Sequence, residues 1–148
     1  MKKEIWFDMD GTIADLYAVE NWLEYLINED TYPYAHAKVM LNFSLLARLL
    51  NRLQDEGWKI GIISWTSKKG SEAYNSAVEM VKRAWLAQHL PSVEWDEIRV
   101  VRYGTNKYET CGGGILFDDE IGNRESWKDE AHEPTEILDT LKGLLMGK

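Results

Sequence analysis

Four short apolar runs, at residues 3–8, 58–64, 98–103 and 114–117, alternate along the chain with segments of helical periodicity. Brief apolar runs of this kind read as buried strands, and strands that alternate with amphipathic helices predict a parallel sheet with helices on both faces. The first run, Lys3-Glu-Ile-Trp-Phe-Asp8, ends at an acid. After the break at Gly11-Thr12, a stripe of Val19, Trp22, Leu23, Leu26 and Ile27 predicts a helix from about Asp15, ended by Thr31-Tyr-Pro-Tyr34. A second stripe, Val39, Met40, Phe43, Leu46, Leu49, Leu50 and Leu53, predicts a helix that stops at Gly57. The strand Trp58–Ser64 follows, then a helix over about 71–89 that carries Val78, Val81, Trp85 and Leu86. Strands at 98–103 and 114–117 come next, a further short strand is expected near Trp127, and Pro134 opens a last helix with Ile137, Leu138, Leu141, Leu144 and Leu145.

In an open parallel sheet, ligands bind outside the carboxyl ends of the strands. The polar residues that stand there are Asp8 and Asp10, Ser64, and Asp118 and Asp119, so the topology predicts that they converge on one edge. Two acids spaced two apart, in Phe7-Asp8-Met9-Asp10-Gly11-Thr12, can share a small cavity if the chain turns sharply, and Gly11 provides the backbone freedom for that turn. Asp118-Asp119 closes the strand Gly-Ile-Leu-Phe, where adjacent buried acids need a compensating cation. An oxygen-only donor set of this kind suits Mg2+.

Composition narrows the partners. With 148 residues and 45% apolar side chains the chain suits one domain, 1–148. A net charge of -8 and a pI near 4.9 argue against non-specific nucleic-acid binding. The basic pairs Lys2-Lys3, Lys68-Lys69 and Lys82-Arg83 read as solvated surface. Neither a signal-peptide core nor a membrane-length apolar stretch is present, and a single cysteine, Cys111, reads as a plain loop thiol. These features together lead to the expectation of a cytoplasmic protein.

The motifs resemble those of the haloacid dehalogenase superfamily: an apolar strand with Asp-x-Asp-Gly-Thr at Asp8–Thr12, a strand-end Ser64, Lys107 in Gly-Thr-Asn-Lys, and Asp118-Asp119. The resemblance implies a Rossmann-like sheet with a minimal helical lid at about 15–33. It also implies a Mg2+-dependent phosphomonoester hydrolase acting through an aspartyl-phosphate. Asp8 is then the nucleophile and Asp10 the general acid/base, the Asp at the second position favouring phosphoester chemistry. Ser64 donates to the phosphoryl group, with Thr66 and Ser67 as fallback donors, and Lys107 neutralises charge, with Arg102 as its alternative. The metal falls to Asp8, Asp10 (by its backbone carbonyl) and Asp119, with Asp118 orienting Asp119 or a water. Phe-Asp-Asp-Glu-x-x-Asn, ending at Asn123, resembles Mg2+-dependent phosphatases of the superfamily.

The short run from Lys107 to Asp118 resembles the 5′(3′)-deoxyribonucleotidase branch, whereas the small lid also suits capless polynucleotide or protein phosphatases. The expected partner is a small phosphorylated substrate, with a nucleotide as one form of it; Trp65, Tyr17 and Trp22 are the candidates to stack a base. Two non-enzyme readings stay open. A receiver-type phosphoacceptor has the same residue types but the opposite motif order, and an inactive binding module would not need every motif position.

Overall fold

The computed structural model describes residues 2–147. Its centre is a five-stranded, all-parallel sheet of β1 (Glu4–Phe7), β4 (Lys59–Trp65), β5 (Glu97–Val101), β6 (Ile115–Phe117) and β7 (Glu130–His132), in the order β5-β4-β1-β6-β7. The strand expected near Trp127 is β7, which starts three residues further on, because Trp127 itself is buried beside the sheet. β1 pairs with β4 on one side (Phe7 opposite Ile62) and with β6 on the other (Phe7 opposite Phe117).

Side-chain alternation splits the core into two layers. Ile5, Phe7, Ile60, Ile62, Ile115 and Phe117 point to one face, while Trp6, Ile63 and Leu116 point to the other. The first face is covered by α3 (Phe43–Asp55) through Leu46, Leu49, Leu50 and Leu53, by α4 (Glu72–His89) through Trp85 and Leu86, and by α7 (Ile137–Met146) through Ile137, Leu141 and Leu145. The second face has a thinner cover. Trp127 and Cys111, at the end of α5 (Lys107–Cys111), pack there, and a Cβ at Gly61 would lie 2.5 Å from the Trp6 ring.

This division follows from crossover handedness. The chain moves outward from β1 to β4 to β5, so α3 and α4 fall on one face; it then crosses back to β6 and on to β7, which puts α5 on the opposite face. The reversal leaves a crevice at the carboxyl end of β1, beside β6.

Helix boundaries follow their capping residues. Ser71 caps α4 by accepting from the Tyr74 amide at 3.1 Å, and Asn42 caps α3 by accepting from Leu45 at 3.0 Å. Gly57, at φ 94°, ends α3. Val39 and Met40, expected in that helix, instead lie before its cap: Lys38–Val39 forms β3, antiparallel to β2 (Ala14–Asp15), and the Met40 amide donates to Ile13 O.

Between β2 and β3 an insert crosses the carboxyl edge of the sheet. A single 3-10 turn (Leu16–Ala18) leads to α1 (Trp22–Ile27) and α2 (Tyr32–His36) in place of one long helix. Leu16 and Tyr34 pack against Tyr74 and Val78 of α4. The Glu29 carboxylate accepts from the Ser71 amide and hydroxyl, each at 2.8 Å, and the Tyr74 hydroxyl donates to Asp30 O at 2.8 Å. α1 itself buries none of its residues. Among the described residues no helix is long and apolar enough to cross a membrane.

Candidate active site

The turn after β1 is built around Met9 and Thr12. Met9 O accepts from the amides of Thr12, Ile13 and Ala14, which folds the chain back and aims Asp8 and Asp10 outward from the strand end. Gly11 lies at φ 80°, and a Cβ there would sit 2.3 Å from Asp119 Oδ2. A side chain at this position would therefore displace the carboxylate that β6 delivers from the other side.

Asp8, Asp118 and Asp119 bring carboxylate oxygens within 4.8 Å of one another. Lys107, 2% exposed, enters between the first two, donating to Asp8 Oδ1 at 2.9 Å and Asp118 Oδ2 at 2.7 Å. The Thr12 hydroxyl donates to Asp8 Oδ2 at 2.9 Å and accepts from the Asp119 amide at 3.1 Å. Asp118 is saturated by the protein. Its Oδ1 accepts from the Glu120 amide at 2.9 Å, and its Oδ2 also accepts from Asn123 at 3.1 Å. Among the described residues the Asp119 carboxylate is less fully engaged, with its own amide, the Asp8 carboxyl and a 3.4 Å contact from Thr12 as neighbours.

Asp10 turns away from this trio. Its Oδ2 accepts from Lys82 Nζ at 2.9 Å, and the same ammonium donates to Ser64 Oγ and to Trp65 O, each at 2.7 Å. Lys82 is 1% exposed, so the reading of Lys82-Arg83 as a solvated pair is wrong for its first member. Position 82 shares the apolar stripe of Val78, Trp85 and Leu86, and a lysine on that stripe can only be buried with partners. That placement was the available signal.

Ser64 is fully buried and spends its hydroxyl oxygen on Lys82, away from the cavity wall. The residues that do line the cavity after β4 are Trp65, Thr66, Ser67, Lys68 and Lys69. Thr66 Oγ1 is buried with no hydrogen-bond partner among the described residues. Arg102 is outside the site and pairs with Glu72 on the surface. Cys111 is not a loop thiol: it is buried at the end of α5, and burial pushes its pKa up to about 12.

The charge balance of the site is uneven. Burial raises the Asp8 pKa, but the Lys107 ammonium more than offsets it and holds the carboxyl below its usual value. Burial raises Asp10, against the pull of Lys82. Asp118 is pushed up to about 6 and Asp119 to about 8, in each case by burial first and the Asp8 charge second. Four carboxylates face two ammonium groups, which leaves two formal negative charges. The excess that full ionisation of the four acids would create, and the hard oxygen donors, fit a divalent cation of the Mg2+ type.

These groups form the floor of a cavity of about 500 Å3. Its walls include Trp65 and Tyr103 on one side and Tyr17, Trp22, Leu23, Leu26 and Ile27 of the insert on the other.

No protein-family model matches the chain, and no curated protein matches it in sequence. Among solved structures, it is similar to the crystal structure of D,D-heptose 1,7-bisphosphate phosphatase from Burkholderia thailandensis. The TM-score is 0.55 at 14% identity, over 98% of this chain and 99% of that one. The chain therefore shares the fold of that phosphatase along nearly its whole length.

Proposed function

We propose that the protein is a phosphomonoester hydrolase that forms an acyl phosphate on Asp8. The observation that carries this reading is the Asp8–Lys107–Asp118 arrangement beside Asp119, a charge-held carboxylate at the switch point of the sheet. Lys107 keeps Asp8 ionised and therefore nucleophilic. An Asp8 oxygen attacks phosphorus as the bond from phosphorus to the leaving oxygen breaks. Asp10, whose pKa burial has raised, gives its proton to that oxygen. The resulting Asp10 carboxylate then takes a proton from the water that attacks phosphorus of the Asp8 acyl phosphate, which releases phosphate and restores both acids. Lys82 holds Asp10 in position throughout.

Thr66, with its unpartnered hydroxyl, is better placed than Ser64 to donate to a phosphoryl oxygen. Asp8 and Asp119 would ligate Mg2+ directly, with Asp118 orienting them and the Asp10 carbonyl as a further donor. When bound, the ion would supply charge neutralisation for a phosphate dianion, which at about 4 Å from one carboxylate otherwise meets repulsion of roughly 8 kcal/mol, about 4 for each unit charge at an effective dielectric near 20.

The substrate is a small phosphoester, and a nucleotide is the finer reading. Tyr17, Trp22 and Trp65 all line the one cavity, which supports a ring-bearing substrate. The similar solved structure is that of a D,D-heptose 1,7-bisphosphate phosphatase, which keeps a phosphosugar in the comparison. The test is hydrolysis of p-nitrophenyl phosphate with and without Mg2+, in wild type and Asp8→Asn. Activity that needs Mg2+ and disappears in Asp8→Asn supports the reading. Full turnover in freshly purified Asp8→Asn, checked by mass for deamidation, would falsify it.

A further inference from the structure

The apolar side of α1 is only partly packed: Leu26 lies against the Leu16, Tyr34, Tyr74 and Val78 cluster, while Leu23 and Ile27 stay open. Leu23 is 53% exposed and Ile27 is 70% exposed, yet both line the same cavity as the carboxylates. Trp22 and Leu26 line it as well, and Tyr17 stacks edge-on against Trp22 with ring centroids 4.9 Å apart. A surface helix ordinarily turns such a stripe into the core. This one turns Leu23 and Ile27 toward the site, while the insert is anchored by Leu16, Leu26, Tyr34 and the Glu29–Ser71 bonds.

The facing aromatic is engaged differently. Trp65 donates its Nε1 to Thr105 O at 2.9 Å, has the Lys107 ammonium 5.2 Å from its ring centroid, and lies 4.8 Å from the Tyr103 ring. Its ring supports Lys107 and is only in part a free platform. The volume is also informative. A cavity of about 500 Å3 lies within the range that encloses a drug-sized ligand and far exceeds one phosphate.

We infer that the cavity selects phosphomonoesters whose leaving group carries an extended apolar or ring face, and that Leu23 and Ile27 on α1 bind that face. This rests on the phosphatase reading for the reaction but not for the binding. The chemistry required is a ring or branched apolar body a short distance from the phosphate, and either an aryl group or a nucleobase provides it. Small polar esters would fill only the charged floor.

Two measurements separate the inference from the reading beneath it. The first compares kcat/KM for 1-naphthyl phosphate, a nucleoside 5′-monophosphate and glycerol 1-phosphate, with Mg2+, in wild type and Leu23→Ser/Ile27→Ser. Wild type should favour at least one ring-bearing ester over glycerol phosphate by roughly tenfold or more, and the ratio should fall below about threefold in the double variant. Which ring ester leads distinguishes an aryl from a nucleoside source. The second is calorimetry with benzylphosphonate and methylphosphonate, which cannot be hydrolysed. Tighter binding of the benzyl compound, lost in the double variant, is the expected result. Equal efficiency on ring and glycerol esters overturns the inference and leaves the hydrolase reading intact. If no ester is hydrolysed, the hydrolase reading fails, and the phosphonate pair alone decides the inference. Both replaced residues are exposed, and a thermal melt that matches wild type shows that the variant is folded.

Discussion

Replacing Lys82 by Met removes an ammonium while keeping the apolar stem that lies within α4. Lys82 donates three hydrogen bonds, to Asp10, Ser64 and Trp65 O, and lies 5.1 Å from the Tyr34 ring centroid. Removing one partner of a buried ion pair costs about 3–5 kcal/mol, because the other charge is left uncompensated. Asp10 keeps 18% side-chain exposure, so water screens part of the loss and the lower end, about 3 kcal/mol, applies. For a chain of 148 residues this corresponds to a melting temperature lower by roughly 6–12 °C. Calorimetric melts of wild type, Lys82→Met, Asp10→Asn and the double variant form the assay. Asp10→Asn removes the stranded charge, so the double variant should regain part of the loss, with a coupling of about 2 kcal/mol. A Lys82→Met protein that melts within about 2 °C of wild type, or a strictly additive cycle, would show that the ammonium does not hold Asp10.

Outcomes at four further residues follow from individual contacts. Thr66→Val should lower kcat/KM by tenfold or more, as expected for losing a hydrogen bond to a charged group. It should leave the melting temperature unchanged or higher, since an unpartnered buried hydroxyl is removed. Ser64→Ala should do the reverse and destabilise by about 1 kcal/mol through its lost bond to Lys82. Gly11→Ala should cost at least about 1–2 kcal/mol for its left-handed backbone and weaken Mg2+ binding by calorimetry, because the added Cβ meets Asp119. The Cys111 thiol should resist alkylation by iodoacetamide at pH 8 in the native state and react once the chain is unfolded. The folded chain holds this proton more tightly than the unfolded one, so Cys111 also makes stability fall as the pH rises from about 9 toward 12.

The centre of the sheet was legible because β1, β4 and β6 are buried on both faces and therefore read as apolar runs, each bounded within a residue or two; the edge strand β7 is only half-buried and gave a weaker pattern. The acids were legible because two pairs of charges at the ends of such runs have no structural use there. The helical stripe from Val19 to Ile27 was legible as an apolar face, but periodicity does not say what covers it: Val19 and Leu26 pack on the core clusters, while Leu23 and Ile27 line the cavity. Val39 and Met40 continue the spacing of α3 but precede its Asn42 cap, a signal that outranks two more apolar positions. Ser64 ends a strand as expected, yet its side chain meets Lys82 of α4, a contact 18 residues away that neither position announces alone. Lys82 itself needed its helical position weighed against its charge.

The ladder between β2 and β3 brings the two ends of the insert together, with Ala14 opposite Val39 and Asp15 opposite Lys38. The chain therefore leaves and rejoins the sheet edge at one place, and the Asp8–Thr12 turn is finished before it departs. For a segment pinned in this way, closure entropy grows only logarithmically, so doubling its length adds about 0.6 kcal/mol. Insertions beyond Asp15 could then remodel the aperture above the carboxylates while leaving the hydrogen bonds of the Met9 turn in place. The discriminating wall and the reacting floor are, in this chain, separately editable.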